Sequence, residues 1–306
     1  DDDLNPDQLR AVTPGSYVIE NRTGKPIRQV YLQWAHPLVS KSFLGTTIEP
    51  GIKMLSLDVP GARLAKELKD YNFRVYTYDK PMAPGEKREV RFETLREQRG
   101  FRNSGNEDRI VSNGTFLNNF ALTPKLGVSR WPLLQDRATR RKYGLNPDLM
   151  LSKLEDEHAR AFTYLRHDSD YVNADVTVRG PVDQVLVAPG QRISREIKGG
   201  RQIARFRTEA PILNFFSINA AKYAVRKDQW NGMGIQIYYH PTHTYNVDRF
   251  VDIAKDGLAY YSENFSPYQF KQFRVIEFPV YNNFAQAFPG TVPYSEGAGF
   301  ITKIDD

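Results

Sequence analysis

The chain has 306 residues, of which 40% are hydrophobic and 12% aromatic, a composition that supports a packed globular core and excludes intrinsic disorder. Its 42 lysines and arginines against 36 aspartates and glutamates leave a net charge of +6, and no nucleic-acid-binding motif accompanies it, so we expect no nucleic-acid partner. The lack of cysteine excludes disulfides and thiolate chemistry, and no apolar run reaches the ~18 residues that a membrane-spanning helix needs.

Short β-rich segments bounded by turn residues predict strands through the first two thirds of the chain. A hairpin turn is predicted at 21–24, after the first of these segments. Even spacing of short strands is typical of a β-sandwich, so the sequence predicts a mainly β protein whose residues 1–218 form a sandwich domain. The predicted strands are 16–20, 27–34, 52–59, 72–78, 87–94, 171–178, 184–188, 192–198 and 202–208.

Between residues 103 and 157 the periodicity fades, and proline, glycine, asparagine and charged residues dominate. We predict a long irregular crossing with short helical turns near 135–143. The segment 152–155, Ser-Lys-Leu-Glu, fits a capping box and predicts a short helix that continues to Phe162.

The pattern changes after Asn219, which suggests that a second domain covers 219–306. Strand-like segments at 223–225 and 234–239 precede a helix that Asn246 is predicted to cap and that runs to residue 265. Another strand is predicted at 273–278. Strand, helix and strand in this order indicate the opening part of an α/β domain. The helix is predicted to pack through Phe250, Ala254, Leu258 and Tyr261.

The five histidines are the only metal-ligand candidates besides carboxylates. The closest pair, His240 and His243, flanks Pro241 on a predicted turn, so it lacks the one-turn spacing on a helix that zinc peptidases use. No acidic residue is adjacent to the pair in sequence. No nucleophile elbow or phosphate-binding loop occurs either. The sequence therefore predicts neither a metal site nor a catalytic residue in this chain.

Short segments spread over nearly the whole chain resemble, in their order, the extracytoplasmic region fused to certain bacterial ABC-transporter permeases, a branch of the aminopeptidase N (gluzincin) family. The segments are Leu32-Gln33-Trp34, Pro84-Gly85-Glu86, Arg99-Gly100-Phe101, Asn113-Gly114-Thr115-Phe116, Arg140-Arg141-Lys142-Tyr143-Gly144-Leu145, Ala210-Pro211-Ile212-Leu213-Asn214-Phe215-Phe216, Tyr239-His240-Pro241, Phe265-Ser266-Pro267-Tyr268 and Pro293-Tyr294-Ser295-Glu296.

This resemblance implies an N-terminal sandwich that covers an active site, followed by a thermolysin-like zinc domain. Only the opening part of that second domain would lie in 219–306, because the H-E-x-x-H helix that binds zinc is missing from the sequence. We therefore expect no cofactor in this chain, whereas zinc is expected for a full-length active relative. The chain alone is expected to be inactive.

The resemblance also implies a substrate site around Glu296. In the family, a segment written G-A-M-E-N, followed by W-G and a short strand, binds the substrate ammonium group. Glu296 and Gly299 match its glutamate and its later glycine, while the neighbours Ser295, Gly297 and Ala298 depart from it. A fixed carboxylate suits an ammonium group because opposite charges strengthen the hydrogen bond.

A second part of the expected substrate site lies in the sandwich, where the family sends a loop toward the substrate terminus. Asn113 and Thr115 occupy the matching positions. The expected substrate-binding residues are therefore Glu296, Gly297, Gly299, Asn113 and Thr115.

The function that the resemblance implies is that of a substrate-shaping portion of a zinc-aminopeptidase-like domain, extracytoplasmic or periplasmic, of an inner-membrane transporter protein. Its partner would be a peptide N-terminus or a protein, and membrane contact would come only through flanking segments. A non-catalytic peptide- or protein-binding module beside a transporter is the chief alternative. A carbohydrate-binding sandwich is the second, and would need an exposed aromatic platform.

Overall fold

The computed structural model describes residues 1–35, 38–42, 45–49, 51–100, 106–128, 134, 136–148, 153, 155–160 and 171–304. Within these ranges β-strands predominate, so the prediction of a mainly β protein is confirmed. Among the same residues no helix is long and apolar enough to cross a bilayer.

Strands and α-helices are numbered separately in chain order. The strands are β1 (Asp2–Asn5), β2 (Arg10–Glu20), β3 (Ile27–Gln33), β4 (Leu38–Ser42), β5 (Gly45–Glu49), β6 (Lys53–Asp58), β7 (Ala62–Leu68), β8 (Phe73–Met82), β9 (Lys87–Glu97), β10 (Thr115–Asn118), β11 (Lys125–Leu126), β12 (Tyr171–Val172), β13 (Asp175–Pro181), β14 (Val185–Val187), β15 (Gln191–Lys198), β16 (Arg201–Arg207), β17 (Ile212–Leu213), β18 (Ser217–Ala221), β19 (Ala224–Trp230), β20 (Met233–Tyr239), β21 (Gln272–Phe278) and β22 (Thr291–Ser295). The α-helices are α1 (Arg137–Lys142), α2 (Glu157–Arg160), α3 (Val247–Asn264) and α4 (Glu296–Gly299).

A seven-stranded sheet in the order β15-β16-β13-β1-β2-β9-β6 forms one layer of the N-terminal part. Its two longest strands, β2 and β9, pair over the full length of β2. Ala11, Tyr17 and Ile19 lie at alternate positions of β2 and therefore on the same face. That face carries the core of the N-terminal part.

Two smaller sheets, in the orders β11-β3-β8-β7 and β10-β18-β14, pack against this face side by side. Tyr17 and Val90 of the large sheet contact the first through residues such as Tyr76. Leu4 of the large sheet belongs to the same buried cluster as Leu117 of the second. The result is a two-layer, sandwich-like arrangement of the kind that the strand spacing predicts.

The predicted hairpin after the first strand is wrong. β3 pairs with β8 and β11, whereas β2 pairs with β1 and β9, so the turn at 21–24 carries the chain between the two layers. The Asn21 side chain explains this course, because its amide group donates to the backbone oxygens of Lys25 and Met82, which ties the turn to the end of β8. Turn residues such as these predict that the chain changes direction, but they do not predict which strand the following strand pairs with.

The predicted irregular crossing at 103–157 is wrong in part, because strands β10 and β11 lie within it. Its described residues also include helix α1, and α2 begins at its last residue. Helix α1 lies inside the predicted 135–143 segment and begins after Asp136, whose carboxylate accepts from the backbone N–H of Thr139. Of the helix predicted from the 152–155 capping box to Phe162, the structure shows α2, and the box residues Ser152 and Leu154 together with Phe162 lie outside the described residues.

The C-terminal part is a four-stranded sheet in the order β19-β20-β21-β22, in which β20, β21 and β22 are parallel. Helix α3 connects β20 to β21, and its buried residues Val251, Ala254 and Leu258 pack with Ile235 and other apolar side chains of the sheet. This confirms the predicted strand, helix and strand sequence at 234–278.

Two details of the α3 prediction are wrong. Tyr261 is predicted to pack on the sheet but is 62% exposed. A helix of 18 residues at ~1.5 Å per residue spans about 27 Å, whereas a strand of seven residues spans about 23 Å. The last turn of α3 is therefore expected to extend past the sheet. Asn246 occupies the N-cap position without a capping bond, since its side chain donates instead to the backbone oxygens of Gly299 and Thr302.

The two parts pack against each other through polar and aromatic contacts. Arg274 of β21 donates to the backbone oxygen of Ala188 at 3.0 Å, and the rings of Phe116 and Phe278 lie 4.9 Å apart. Strand β18 stays in the sandwich as far as Ala221, slightly beyond the predicted boundary at residue 218. That the two parts are separate domains stays a prediction.

Candidate functional site

The carboxyl ends of three parallel strands meet at one edge of the C-terminal sheet. Strand β20 leads into the turn with His240 and His243, β21 ends one residue after Glu277, and β22 is followed directly by Glu296. This edge of a parallel sheet commonly carries ligand sites, because the connecting loops and the side chains at the strand ends converge there. The fold therefore collects these ionisable groups from distant parts of the sequence.

Glu277 is the buried centre of this group, with only 4% of its side chain exposed. One carboxylate oxygen shares a hydrogen bond with Nδ1 of His243, and the other accepts from the backbone N–H of His240 at 2.6 Å. Burial raises the pKa of Glu277 above its ordinary value, against the opposing effect of these two hydrogen bonds, and the nearby Glu296 carboxylate raises it further. Glu277 is therefore positioned rigidly and carries a charge that is poorly solvated.

Glu296 is the first residue of α4 and is partly exposed. Its Oε1 accepts from the backbone N–H of Val280 at 2.8 Å, which fixes the carboxylate against the loop that follows β21. Its Oε2 lies 4.0 Å from Nδ1 of His243. One donor atom from each of His243, Glu277 and Glu296 lies within 4.8 Å of the others. Two carboxylates at this spacing repel each other and favour a bound cation.

Gly297 and Gly299 allow α4 to pack tightly beside Glu296. A Cβ atom at Gly297 would lie 2.9 Å from a methyl carbon of Val280, and one at Gly299 would lie 2.8 Å from the ring of Phe250. The Gly299 backbone oxygen accepts from Asn246, which links α4 to the start of α3. These glycines thus position the turn that bears Glu296. In the family a short strand follows the matching segment. Here strand β22 precedes Glu296, and the short helix α4 begins at Glu296.

Asn113 lies in the turn before β10, and Thr115 is the first residue of that strand. Asn113 Oδ1 accepts from the backbone N–H of Lys222 at 2.7 Å, while the fully buried Thr115 bonds through its hydroxyl group to the backbone of Val111. Between them, Gly114 has a φ of +126° and accepts at its backbone oxygen from the Tyr281 hydroxyl at 3.0 Å.

The turn of Asn113 to Thr115 therefore touches the loop that holds Glu296. An added Cβ at Gly114 would overlap the ring of Pro279, which immediately precedes the Val280 that binds Glu296. The structure thus connects both segments of the expected substrate site through this loop, but the ionisable cluster itself consists of His243, Glu277 and Glu296. Direct substrate contact by Asn113 or Thr115 stays a prediction.

Sequence reasoning missed Glu277 and the association of His243 with two carboxylates. The signal was present in β21, where Glu277 stands between Ile276 and Phe278 in a strand that the fold buries on both faces. Central parallel strands are usually apolar throughout, so a glutamate there needs a reason. Its partners are 34 and 19 positions away along the chain, which no local motif could reveal.

No protein-family model matches the chain, and no curated protein matches it.

Proposed function

We propose that this chain binds the free amino terminus of a peptide, as the substrate-shaping portion of an aminopeptidase N-like, extracytoplasmic or periplasmic region of an inner-membrane transporter protein. The observation that supports it best is the position of Glu296. Its Oε1 accepts from the backbone N–H of Val280, and one of its carboxylate oxygens lies within 4.8 Å of one from Glu277. Both the sequence resemblance and this geometry support Glu296 as the proposed amine anchor.

An ammonium group suits this position for an electrostatic reason. Glu277 and Glu296 are close enough for the second carboxylate to raise the pKa of the first, so a cation bound near both relieves their repulsion. The ammonium group of a peptide also offers three hydrogen-bond donors, and bonds between ionised groups are about twice as strong as neutral ones. Specificity for a free N-terminus over a blocked one follows, because an acetylated terminus carries no positive charge.

The residues present do not fit the family's catalytic zinc. The sequence contains no H-E-x-x-H segment, and its closest histidine pair lies on a turn between β20 and α3. We therefore assign no step of peptide hydrolysis to this chain. Its proposed contribution is to bind and orient the substrate terminus, while hydrolysis would need residues outside it.

Substituting Glu296→Gln tests the proposal, because the amide keeps the shape and the acceptor for Val280 but removes the charge. We expect trialanine to bind about 10- to 100-fold more weakly to the variant, which corresponds to about 1.5–3 kcal/mol for a hydrogen bond to a charged group. N-acetylated trialanine should bind poorly to both proteins. Isothermal titration calorimetry in metal-free buffer measures all four dissociation constants.

The matched control is Glu263→Gln, which removes one negative charge from the exposed surface of α3. This variant should bind trialanine like the wild type. If Glu296→Gln weakened the free and the acetylated peptide by the same factor, Glu296 would support the fold and not the amine, and the proposal would be wrong.

The non-catalytic module beside a transporter stays the alternative, since it needs the same amine site but no zinc domain. Hydrolysis assays on the complete parent protein discriminate between the two. Release of the terminal residue that depends on Glu296 supports the peptidase, and amine binding without hydrolysis supports the module.

A further inference from the structure

We infer that His243, Glu277 and Glu296 together form a binding site for a divalent transition-metal ion, distinct from the zinc-binding helix of the aminopeptidase N family. His243 lies in the connection after β20, Glu277 near the end of β21 and Glu296 directly after β22, all at the carboxyl edge of the parallel sheet. The site would use one imidazole nitrogen and two carboxylate oxygens. The cation site and the amine site share Glu296 and Glu277, but neither requires the other.

The distances permit coordination after small side-chain movements. The three donor atoms lie within 4.8 Å of one another, and Nδ1 of His243 is 4.0 Å from Oε2 of Glu296. Ligands at ~2.0 to 2.2 Å from a zinc ion are themselves about 3 to 3.7 Å apart in a tetrahedral arrangement. Coordination would bring the partly exposed Glu296 about 1 Å closer and move Nδ1 of His243 away from the Glu277 oxygen to which it is hydrogen-bonded.

The carboxylates are already held in the way that metal ligands usually are. In both glutamates one oxygen accepts a backbone N–H bond, from His240 to Glu277 and from Val280 to Glu296. Such outer contacts orient a carboxylate and leave its other oxygen for the ion. The arrangement therefore requires little new ordering when a cation binds.

Charge and donor type narrow the class of ion. Two carboxylates contribute a charge of −2 that a divalent cation neutralises. The imidazole favours zinc or iron(II) over magnesium and calcium, and the two carboxylates also suit manganese. Coordination through Nδ1 of His243 would replace the hydrogen bond that this nitrogen shares with Glu277. Coordination positions remain for solvent or for a substrate group.

Titration of the folded chain with zinc chloride and with manganese chloride, after EDTA treatment and dialysis, tests the inference. We expect one ion per chain by calorimetry and by elemental analysis. His243→Gln and Glu296→Gln should each weaken the affinity at least about 10-fold, and Glu263→Gln should not change it. Cobalt(II) is a second probe, because its visible absorption changes when a nitrogen ligand is lost.

His243→Gln separates this inference from the proposed function. The variant should lose the ion, whereas the wild type in metal-free buffer should still bind trialanine, because an ammonium group needs the two carboxylates and not the ion. If the wild type bound trialanine but bound neither zinc nor manganese at millimolar concentrations of the ion, the cation site would be refuted and the amine site would remain. Glu277→Gln is the third ligand substitution. If none of the three substitutions weakened ion binding, the cation site would also be refuted. An ion bound through these residues, with no preference for free peptide termini, would support the cation site and refute the amine site.

Discussion

At the scale of single residues, buried and partly buried charges in this protein are held by specific donors. Glu277 shares hydrogen bonds with two groups at the site, and Asp175, the first residue of β13, accepts from two arginines. Arg205 donates to both oxygens of Asp175 at 2.7 Å, and Arg207 donates to one of them at 2.7 Å. Hydrogen bonding by Arg205, assisted by Arg207 and opposed by partial burial, lowers the pKa of Asp175 to about 2.

This pKa predicts a pH-dependent contribution to stability. Because the folded-state pKa lies below the ~3.9 of an unfolded aspartate, Asp175 stabilises the fold above pH ~4, and the contribution is lost as the pH falls toward about 2. The side chain is partly exposed, so solvent screening limits the effect to about 1 kcal/mol at pH 7. Urea unfolding should show that Asp175→Asn destabilises the protein at pH 7 and less so at pH 3.

Arg205→Gln provides the control. In the Arg205→Gln protein, Asp175→Asn should reduce the free energy of unfolding at pH 7 by less than it does in the wild type, because the main hydrogen-bond donor to Asp175 has been removed. The assignment would be wrong if the loss caused by Asp175→Asn were the same at both pH values.

At the scale of elements, helix α3 shows how a periodic pattern and the length of its partner sheet act together. Leu258 is 7% exposed and packs on the sheet, whereas Tyr261, on nearly the same face, is 62% exposed. We expect Leu258→Ala to reduce the free energy of unfolding by about 2–4 kcal/mol, the range for a buried leucine. Tyr261→Ala should cost less than about 1 kcal/mol, because it removes only ring contacts with Tyr260 and Phe265.

Equilibrium unfolding in urea of both variants measures this difference directly. Similar losses for the two variants would mean that Tyr261 packs on the sheet after all, as the helical spacing alone suggests.

The register of the parallel strands is the element-scale feature on which the site depends. Phe278 lies opposite Ser295 in the pairing of β21 with β22, so Glu277 and Glu296 end beside each other at the same edge. A shift of β21 by one residue in its register with the neighbouring strands would turn the Glu277 side chain to the other face of the sheet. The connection between these strands, from residue 279 to 290, contains no pattern that specifies this register.

At the scale of the whole molecule, the sandwich-like part is predicted to fold without the C-terminal sheet. Strand β18 extends the sandwich to Ala221 and pairs with both β10 and β14, so the fragment 1–222 retains the complete three-stranded sheet. We expect this fragment to unfold cooperatively but to be less stable than the full chain, because Phe116 loses its contact with Phe278. Urea denaturation followed by circular dichroism is the measurement.

The fragment 1–218 is the matched comparison, since it lacks the last three residues of β18. It should unfold at a lower urea concentration than 1–222. A fragment 1–222 without a cooperative transition would show that the two parts fold only together, and the domain boundary near residue 218 would have to be withdrawn.

The sequence by itself determined the class of the fold, most strands and the extent of α3, because these depend on alternation, helical spacing and turn residues within short windows. It also directed attention to Glu296, through a resemblance in a single segment. Only the tertiary structure decided that β2 pairs with β9 instead of β3, and that His243 and Glu277 lie beside Glu296. Strand partners and their register are set by packing between residues far apart in the chain, so the meeting of these three side chains is a property of the folded sheet and of no local pattern.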